Sequence, residues 1–354
     1  MTVPPLTPAA FAIPGEITTL TGGYIYERQL LEGLRAQGRR VDHLQLGGSF
    51  PTPTPADMAD AAAQLLALPP DQPLILDGLV FGSIDTGILA RMAAPIIAMI
   101  HHPLAHESAL SPDLRAHLLR TERDNLTHTA HVLVPSPHTA ALLVSDYGVT
   151  RDRITIARPG TDRPSLPRAT QGTDPPLILS VGIQHPRKGH DILLRALARL
   201  TNRHWQAVIV GSRYDAAHAE DLDRLHARLG LGAQVRLAGR VPADALASLY
   251  QSATIFALAT RYEGYGIVFD EAMAWGLPIV TCRTGAVPDT VPASVGLLAA
   301  PDDPAAFADS LDLMLTNATL RQDMARASAL VGAALPGWYD TARLAGEVLD
   351  QIGL

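Results

Sequence analysis

The sequence predicts an α/β protein with two domains, each a parallel sheet covered by helices. Short apolar runs alternate with helix-forming segments along most of the 354 residues, and this alternation is typical of parallel sheets with helices on both faces. The chain is long enough for two sizeable cores. A segment rich in proline, glycine and threonine at 163–176 has the composition of an interdomain linker.

The first half contains six apolar runs that we predict to be strands. They lie at 11–15, 41–46, 74–79, within 95–103, at 131–135 and within 153–162, where the strand runs into a Pro-Gly turn. A loop that carries the glycine pair Gly22-Gly23 is predicted to lead into a helix that ends near Gly38, and further helices are predicted at 57–67 and 112–129. A further helix should follow Ser136, because a serine followed by proline is a typical helix start.

The second half repeats the alternation after the linker. Strands are predicted at 176–182, 205–211, 235–239, 254–260 and 278–282, with helices at 190–200, 215–230, 243–253 and 267–275. From about Pro304 the tail is predicted to be helical. We therefore place one domain at 1–162 and a second at 163–335, with residues 336–354 forming a helix that packs back on the first domain.

Composition excludes several classes of protein. The formal net charge of -7 argues against a general nucleic-acid binder. Cys282 is the single cysteine, so there is no disulfide framework and no thiol metal site. The N-terminus lacks a signal-peptide pattern, and no stretch approaches the roughly 20 apolar residues of a membrane span. We expect a cytoplasmic protein, either soluble or peripheral at the inner face of the membrane.

A basic cluster near the end of the first helix raises the question of membrane contact. Arg35, Arg39 and Arg40 lie there beside apolar residues, an arrangement found in peripheral membrane enzymes that act on lipid acceptors. The alternative is an ordinary basic helix end that complements the helix dipole.

The stretch from Tyr262 to Val280 carries the strongest functional signal. Glu263 precedes the predicted helix 267–275, and Glu271 lies within it. Gly264 and Gly266 allow close approach of a ligand to the backbone, and the free N–H groups of Gly266, Ile267 and Val268 form a site suited to a diphosphate. The alternative is a plain helix start with an acidic first turn and a surface glutamate.

Two cations mark a second candidate phosphate site. Arg187 and Lys188 lie just before the helix that begins near His190. Cations are disfavoured at a helix N-terminus unless an anion lies between them and the helix, so a phosphate site is favoured over a solvated surface. The turn at 283–289 either lines the same cleft or is a simple turn. Gly22 and Gly23 offer a weaker anion site, or an ordinary turn.

His101 is a candidate because it ends the apolar run within 95–103, and ligands of open α/β sheets gather at the carboxyl ends of strands. The alternative is an exposed loop histidine. A metal site made of His101, His102 and His106 is not expected, since no carboxylate–histidine spacing matches a known ligand set and the loop would have to fold back on itself.

Taken together, these segments resemble the retaining glycosyltransferases of the GT-B fold, in the large family four. EGYGIVFDEAMAWGLPIV matches the Glu-x7-Glu signature, with Glu263 and Glu271 as its two acids. The first glycine loop and helix of the family resemble TGGYIYERQLLEGLRAQGRRVD. Its lysine segment, which binds diphosphate, resembles PRKGHDILLRAL, and its small-x-Pro-acid turn resembles AVPD. The segment VPSPHTAALLVSDYGVTRDRITIARPGTD also resembles the family, so the likeness extends over most of the chain.

The resemblance implies two Rossmann-like, doubly wound domains facing across a cleft. It implies that the donor, a nucleoside-diphosphate sugar, binds mainly to the C-terminal domain and the acceptor, a sugar, lipid or small molecule, to the N-terminal one. The implied roles are diphosphate binding by Lys188, sugar and phosphate binding by the amides of Tyr265 to Val268, sugar binding by Glu263 and His101, ribose binding by Glu271, and nucleobase binding by Arg240 and Val241. The family commonly has an arginine at the position of Ile183, and Arg187 is the expected substitute.

The resemblance also implies a mechanism. A retaining hexosyltransferase of this kind moves the sugar by a front-face reaction in which the leaving diphosphate takes the acceptor proton, with no metal and no other cofactor. Catalysis then rests on positioning and on stabilising the charge of the diphosphate. The alternatives are a GT-B phosphorylase or epimerase, and a nucleotide-sugar-binding protein without transferase activity, which the missing arginine at Ile183 favours.

Overall fold

The computed structural model describes residues 6–107, 110–164, 173–202 and 204–353. The chain forms two compact units. Unit 1 comprises Met1–Gly160 and Pro336–Leu354, and unit 2 comprises Thr161–Leu335. Most of the linker predicted at 163–176 lies outside the described residues.

Unit 1 is a six-stranded parallel sheet with helices. Its strands are β1 (Ala9–Pro14), β2 (Val41–Leu46), β3 (Leu74–Asp77), β4 (Ile96–Met99), β5 (His131–Val134) and β6 (Ile154–Ile156). Its helices are α1 (Gly22–Ala36), α2 (Pro55–Leu66), α3 (Gly78–Phe81), α4 (Thr86–Leu89), α5 (Pro112–Leu126), α6 (Pro137–Ser145) and, after unit 2, α14 (Trp338–Ile352). The strand order is β2-β1-β3-β4-β5-β6, so the sheet reverses its direction of growth between β1 and β3.

One strand prediction for unit 1 was wrong at its end. The strand expected at 74–79 stops at Asp77, because the Asp77 carboxylate accepts hydrogen bonds from the N–H groups of Leu79 and Val80 and caps α3. The segment 153–162 forms a strand over Ile154–Ile156 that ends before Pro159 and Gly160, as its Pro-Gly turn predicts. Pro159 has no N–H to donate to a ladder, which is consistent with its place outside the strand.

Helix α14 packs on α1 within unit 1. A side chain at Gly33 would bring its Cβ to 2.6 Å from the Cβ of Ala342, so the two helices need glycine at this crossing. The Arg39 guanidinium forms two 2.8 Å hydrogen bonds to the Asp350 carboxylate and also donates to the Gly346 carbonyl. Its side chain is 1% exposed. The predicted basic surface of Arg35, Arg39 and Arg40 is therefore corrected, because Arg39 is buried in a packing contact.

We expect Asp350→Ala to lower the free energy of unfolding by about 3 kcal/mol, because it leaves the buried Arg39 guanidinium without its carboxylate. The matched control is Arg40→Ala, which breaks an exposed pair with Asp42 and should cost less than about 0.5 kcal/mol. Urea unfolding of both variants measures the difference. Equal effects would show that the Arg39 pair adds nothing beyond a surface contact.

Unit 2 is a second six-stranded parallel sheet. Its strands are β7 (Leu177–Val181), β8 (Gln206–Val210), β9 (Val235–Gly239), β10 (Ile255–Leu258), β11 (Ile279–Cys282) and β12 (Gly296–Ala299). Its helices are α7 (His190–Arg199), α8 (Ala216–Arg228), α9 (Ala243–Ser252), α10 (Ile267–Ala274), α11 (Val287–Thr290), α12 (Pro304–Thr316) and α13 (Ala318–Ala334). The order β12-β11-β10-β7-β8-β9 reverses between β7 and β10.

The predicted fold class is confirmed, because both sheets are parallel and each is accompanied by helices. Each sheet is flanked by buried apolar side chains of its strands and helices, such as Leu46 and Leu143 in unit 1 and Ile209 and Leu222 in unit 2. Strand β12 and the short helices α3, α4 and α11 were not predicted. Within the described ranges, no helix combines the length and apolar character needed to cross a membrane.

Candidate functional site

The segments of unit 2 that carry the predicted donor residues follow β7 and β10, the two strands between which the sheet reverses. Ligands of open α/β sheets bind outside the carboxyl ends of strands at such a reversal. The two segments are joined directly, because the Arg187 carbonyl accepts hydrogen bonds from the Arg261 N–H at 2.8 Å and from the Thr260 hydroxyl at 3.1 Å. Gly189 has φ 61°, and a Cβ there would clash with the carbonyl of Ala259. This close approach brings Arg187 and Lys188 to the segment that follows β10.

Glu263 is the buried centre of this arrangement. It is 4% exposed. Its Oε1 lies 2.7 Å from Lys188 Nζ and accepts a hydrogen bond from the Thr260 hydroxyl at 2.9 Å, and its Oε2 lies 3.4 Å from Arg187 Nη1. Burial alone would raise the pKa of Glu263, but Lys188 and Arg187 outweigh burial and hold this pKa below its usual value. The carboxylate is therefore ionised, and its interpretation as a surface acid was wrong.

Helix α10 begins directly beside this ion cluster. Its N-cap, Gly266, has φ 93° and ψ 63°, a left-handed conformation that favours glycine. Gly264 and Tyr265 lead into the cap, and Ile267 and Val268 form the first turn. Because the first N–H groups of a helix have no acceptor within the helix, this turn offers donors to an anion.

Glu271 lies further along α10 and is held by α9. Its Oε2 accepts a 2.7 Å hydrogen bond from the Tyr250 hydroxyl. Burial raises the pKa of Glu271, although the Tyr250 hydrogen bond opposes the shift. Tyr250 is itself stacked on Trp275 with an interplanar angle of 1°. The second acid of the signature is thus a half-buried, positioned group.

The turn at 283–289 packs against the backbone of Glu263. The Ala286 N–H donates to the Glu263 carbonyl at 2.8 Å, and a Cβ at Gly285 would lie 2.3 Å from the same oxygen. The Arg261 carbonyl accepts a 2.8 Å hydrogen bond from the Thr284 hydroxyl of this turn, and the Arg261 guanidinium donates to both oxygens of Asp191 at 2.9 Å. These contacts fix the main chain around Glu263, and a role of the turn in lining the cleft stays a prediction.

The predicted nucleobase residues are further away in the topology. Arg240 and Val241 follow β9, the edge strand, which is separated from β7 by β8. Their role stays a prediction. Ile183 also follows β7, and Arg187 contacts the Glu263 carboxylate and the Tyr262 carbonyl. Arg187, the expected substitute for an arginine at position 183, thus lies at the Glu263 carboxylate, and its role toward a phosphate stays a prediction.

In unit 1, His101 lies just beyond β4 and against the start of α1. A Cβ on Gly23 would be 3.6 Å from the His101 ring. Gly22 and Gly23 are the first two residues of α1 rather than a loop before it, so the predicted loop was wrong. Contact of these glycines or of His101 with a donor stays a prediction.

His101 is joined to two acids that were not predicted from the sequence. Its Nε2 lies 3.4 Å from Glu27 Oε1, and Glu27 forms a side-chain hydrogen bond with Asp77. Asp77 closes β3, and an acid at the end of a buried strand is a signal that could have been noticed. Glu27 gives no such signal, because it is one polar residue among several on α1.

The other two histidines of the same loop, His102 and His106, contact other carboxylates. His102 Nε2 lies 3.0 Å from Glu107, and His106 Nε2 lies 3.9 Å from Asp146. The three histidines therefore face three different carboxylates.

The fold and the site of unit 2 define a protein of the GT-B class, with two Rossmann-like domains. Residues 163–330 match the family model described as Glycosyl transferases group 1, and residues 81–163 match the model described as Glycosyltransferase Family 4. Over 240 residues the chain is 33% identical to a protein of Frankia alni named D-inositol 3-phosphate glycosyltransferase, covering 63% of this chain and 59% of the relative. The chain spans between about half and three fifths of the length of the curated relatives it matches.

Solved structures show the same fold over nearly the whole chain. Sucrose-phosphate synthase from Thermosynechococcus elongatus has a TM-score of 0.84 at 20% identity, with 98% of each chain covered. The Anabaena protein Alr3699/HepE in complex with UDP-glucose has a TM-score of 0.74 at 15% identity, covering 97% of this chain and 99% of that one. These likenesses establish the fold, and the matched family models support sugar transfer.

Proposed function

We propose that the chain is a retaining glycosyltransferase that moves a sugar from a nucleoside-diphosphate sugar to an acceptor hydroxyl. Unit 2 binds the donor and unit 1 the acceptor. The observation that carries the proposal is the convergence of Lys188 and Arg187 on the buried carboxylate of Glu263, beside the start of α10. Two cations against one carboxylate leave a net positive charge where the diphosphate of a donor is expected.

The cations of this site suit a leaving diphosphate without a metal. An ammonium group has three donors, so Lys188 can keep its bond to Glu263 and still donate to a phosphate oxygen. Charge grows on the diphosphate as the glycosidic bond breaks, and donors already in place stabilise that charge without reorganisation. We propose that Lys188, Arg187 and the N-terminus of α10 share this role.

The proposed reaction is a front-face substitution. The acceptor oxygen bonds to the anomeric carbon on the side from which the diphosphate leaves, and the acceptor proton passes to a diphosphate oxygen. No protein base is needed in this scheme, and the anomeric configuration is retained. Glu263 lies beside the reacting sugar, which gains positive charge in the transition state, and Glu271 binds the ribose.

The nucleotide and the acceptor are open to direct test. A neighbour of the same fold was solved with UDP-glucose, so UDP is the first nucleotide to test. Relatives are named for D-inositol 3-phosphate, which makes a phosphorylated cyclitol the first acceptor to test.

A thermal-shift screen of UDP, GDP, ADP and TDP with their common sugars tests the donor. A ligand at 100 times its Kd should stabilise the protein by about 2.7 kcal/mol. We expect one nucleotide to stand out, with the same shift in Mg²⁺ and in EDTA. A shift that EDTA abolishes would contradict metal-independent binding of the diphosphate, and no shift with any nucleotide would contradict the proposed function.

Product analysis separates transfer from the alternatives. NMR of the product formed from the bound donor and an acceptor should show the anomeric configuration of the donor. Phosphate-dependent cleavage of a glycoside would indicate a phosphorylase. Tight nucleotide binding without turnover on any acceptor would indicate a binding protein.

Arg187→Ala should lower kcat by on the order of tenfold or more. The resemblance implies an arginine at position 183, and Ile183 supplies no cation there that could replace Arg187. Adding Ile183→Arg to that variant should restore part of the lost activity. The control is Ile183→Arg alone, which should leave kcat near its original value. Full activity of Arg187→Ala would show that Arg187 does not act on the diphosphate.

A further inference from the structure

Glu27, Asp77 and His101 meet at the point where the sheet of unit 1 reverses. Glu27 is on α1, the helix that follows β1, Asp77 closes β3, and His101 follows β4. The reversal lies between β1 and β3, which is where open α/β sheets bind ligands. A Cβ on Gly78 would be 2.9 Å from the carbonyl of Met99. Glycine at that position therefore lets the ends of β3 and β4 approach closely enough to bring Asp77 and His101 together.

The distances among these three side chains fit a metal ion. One ligand atom from each lies within 4.8 Å of the others. The distance from His101 Nε2 to Glu27 Oε1 is 3.4 Å, which is also about the edge of a tetrahedron whose metal–ligand bonds are about 2.1 Å long.

The charges of the cluster also favour a cation. Glu27 and Asp77 are each 2% exposed, and no lysine or arginine of the described ranges forms an ion pair with either of them. In unit 2 the buried Glu263 has Lys188 and Arg187, whereas this buried acid pair has only a histidine. Two buried carboxylates without a countercharge are costly, so the pair holds either a proton or a cation.

Metal binding at this cluster competes with protons on the two acids, because carboxylates bind metals in their deprotonated form. Burial raises the pKa of Glu27 to about 7 and raises the pKa of Asp77 well above its usual range. Burial lowers the pKa of His101, which favours the neutral imidazole that binds metals.

We propose that Glu27, Asp77 and His101 form a binding site for a divalent first-row transition metal ion of the Zn²⁺ or Mn²⁺ type. One imidazole nitrogen with two carboxylates suits these ions better than Ca²⁺ or Mg²⁺, which prefer oxygen ligands alone. The site lies in unit 1, is distinct from the diphosphate site proposed in unit 2, and does not depend on the chain being a glycosyltransferase.

Calorimetric titration tests the site. The full chain is stripped with EDTA, freed of the chelator, and titrated with ZnCl₂ and with MnCl₂. We expect saturable binding of one ion per chain. Glu27→Gln and Asp77→Asn should each weaken it by on the order of 10- to 100-fold or more, since even second-shell partners of metal ligands have effects of that size. Asparagine at position 77 can still cap α3, which protects the fold.

Glu107→Gln is the matched control, because it removes the carboxylate beside His102 in the same loop and should leave the affinity unchanged. Thermal unfolding gives a second measurement and shows whether each variant is folded. The ion should raise the Tm of the original protein and of Glu107→Gln, but not that of Asp77→Asn. Absence of saturable binding would overturn the proposal and indicate that the acid pair holds a proton. Binding that Glu107→Gln removes, or that survives both Glu27→Gln and Asp77→Asn, would show adventitious surface binding and would also overturn it.

Discussion

Lys188→Ala is expected to lower the kcat of sugar transfer by on the order of 10²-fold or more. In the proposed reaction the ammonium group acts on charge that develops on the leaving diphosphate, and removing one such donor raises the barrier in the transition state. Steady-state turnover with a saturating donor measures the change. A kcat near the original value would show that Lys188 does not bind the diphosphate.

The ion pair with Glu263 gives Lys188→Ala a second possible effect. Loss of the ammonium group leaves the buried carboxylate with Arg187 and Thr260, and this could disturb the site without any role for Lys188 in catalysis. The double variant with Glu263→Gln separates the two effects. In the Glu263→Gln background we still expect a large further loss of kcat from Lys188→Ala. No further loss would show that Lys188 acts only through Glu263.

Glu263→Gln and Glu271→Ala are expected to affect different kinetic constants. Glu263→Gln should lower kcat by on the order of tenfold to a hundredfold, with nearly unchanged affinity for the nucleoside diphosphate, because a carboxylate beside the reacting sugar matters most in the transition state. Glu271→Ala should chiefly raise KM for the donor and weaken nucleotide binding by about tenfold, because the ribose contact is present in both ground and transition states.

Calorimetry with the nucleoside diphosphate, combined with donor kinetics, measures this division. Tyr250→Phe is a useful control, because it removes the hydroxyl that donates to Glu271 and leaves the carboxylate in place. It should change KM in the same direction as Glu271→Ala, but less. If Glu263→Gln lost nucleotide affinity and Glu271→Ala kept it, the assumed orientation of the donor would be reversed.

The order of the strands and helices was predictable because it depends on local patterns. Alternating apolar runs and helical segments located eleven of the twelve strands of the described chain, and Ser136 was correctly placed as a helix cap that receives the Thr139 N–H. The exception, β12, is four residues long. The predicted end of a strand was less accurate where a side chain sets it, as at Asp77. Capping depends on side-chain contacts, and the spacing of apolar residues does not reveal these.

Site residues were predictable where neighbours in sequence act together. The Glu263 to Glu271 segment and the Arg187-Lys188 pair could be found from local spacing and from the resemblance. The contact between Glu263 and Lys188 could not be predicted from the sequence. It joins two segments 75 residues apart, which follow the neighbouring strands β7 and β10. The acids beside His101 were missed for the same reason, since Glu27, Asp77 and His101 come from three separate elements.

The place of α14 in unit 1 has a consequence for the synthesis of the chain. Residues 338–352, which cover α1, follow the whole of unit 2 in sequence. At about 5–20 residues per second, a ribosome takes roughly 10–35 s to go from the end of β6 to the start of α14. During that interval the nascent first unit carries an uncovered apolar face on α1. The six strands of unit 1 are therefore translated before unit 2, but unit 1 gains its last helix only after the whole of unit 2 has been translated.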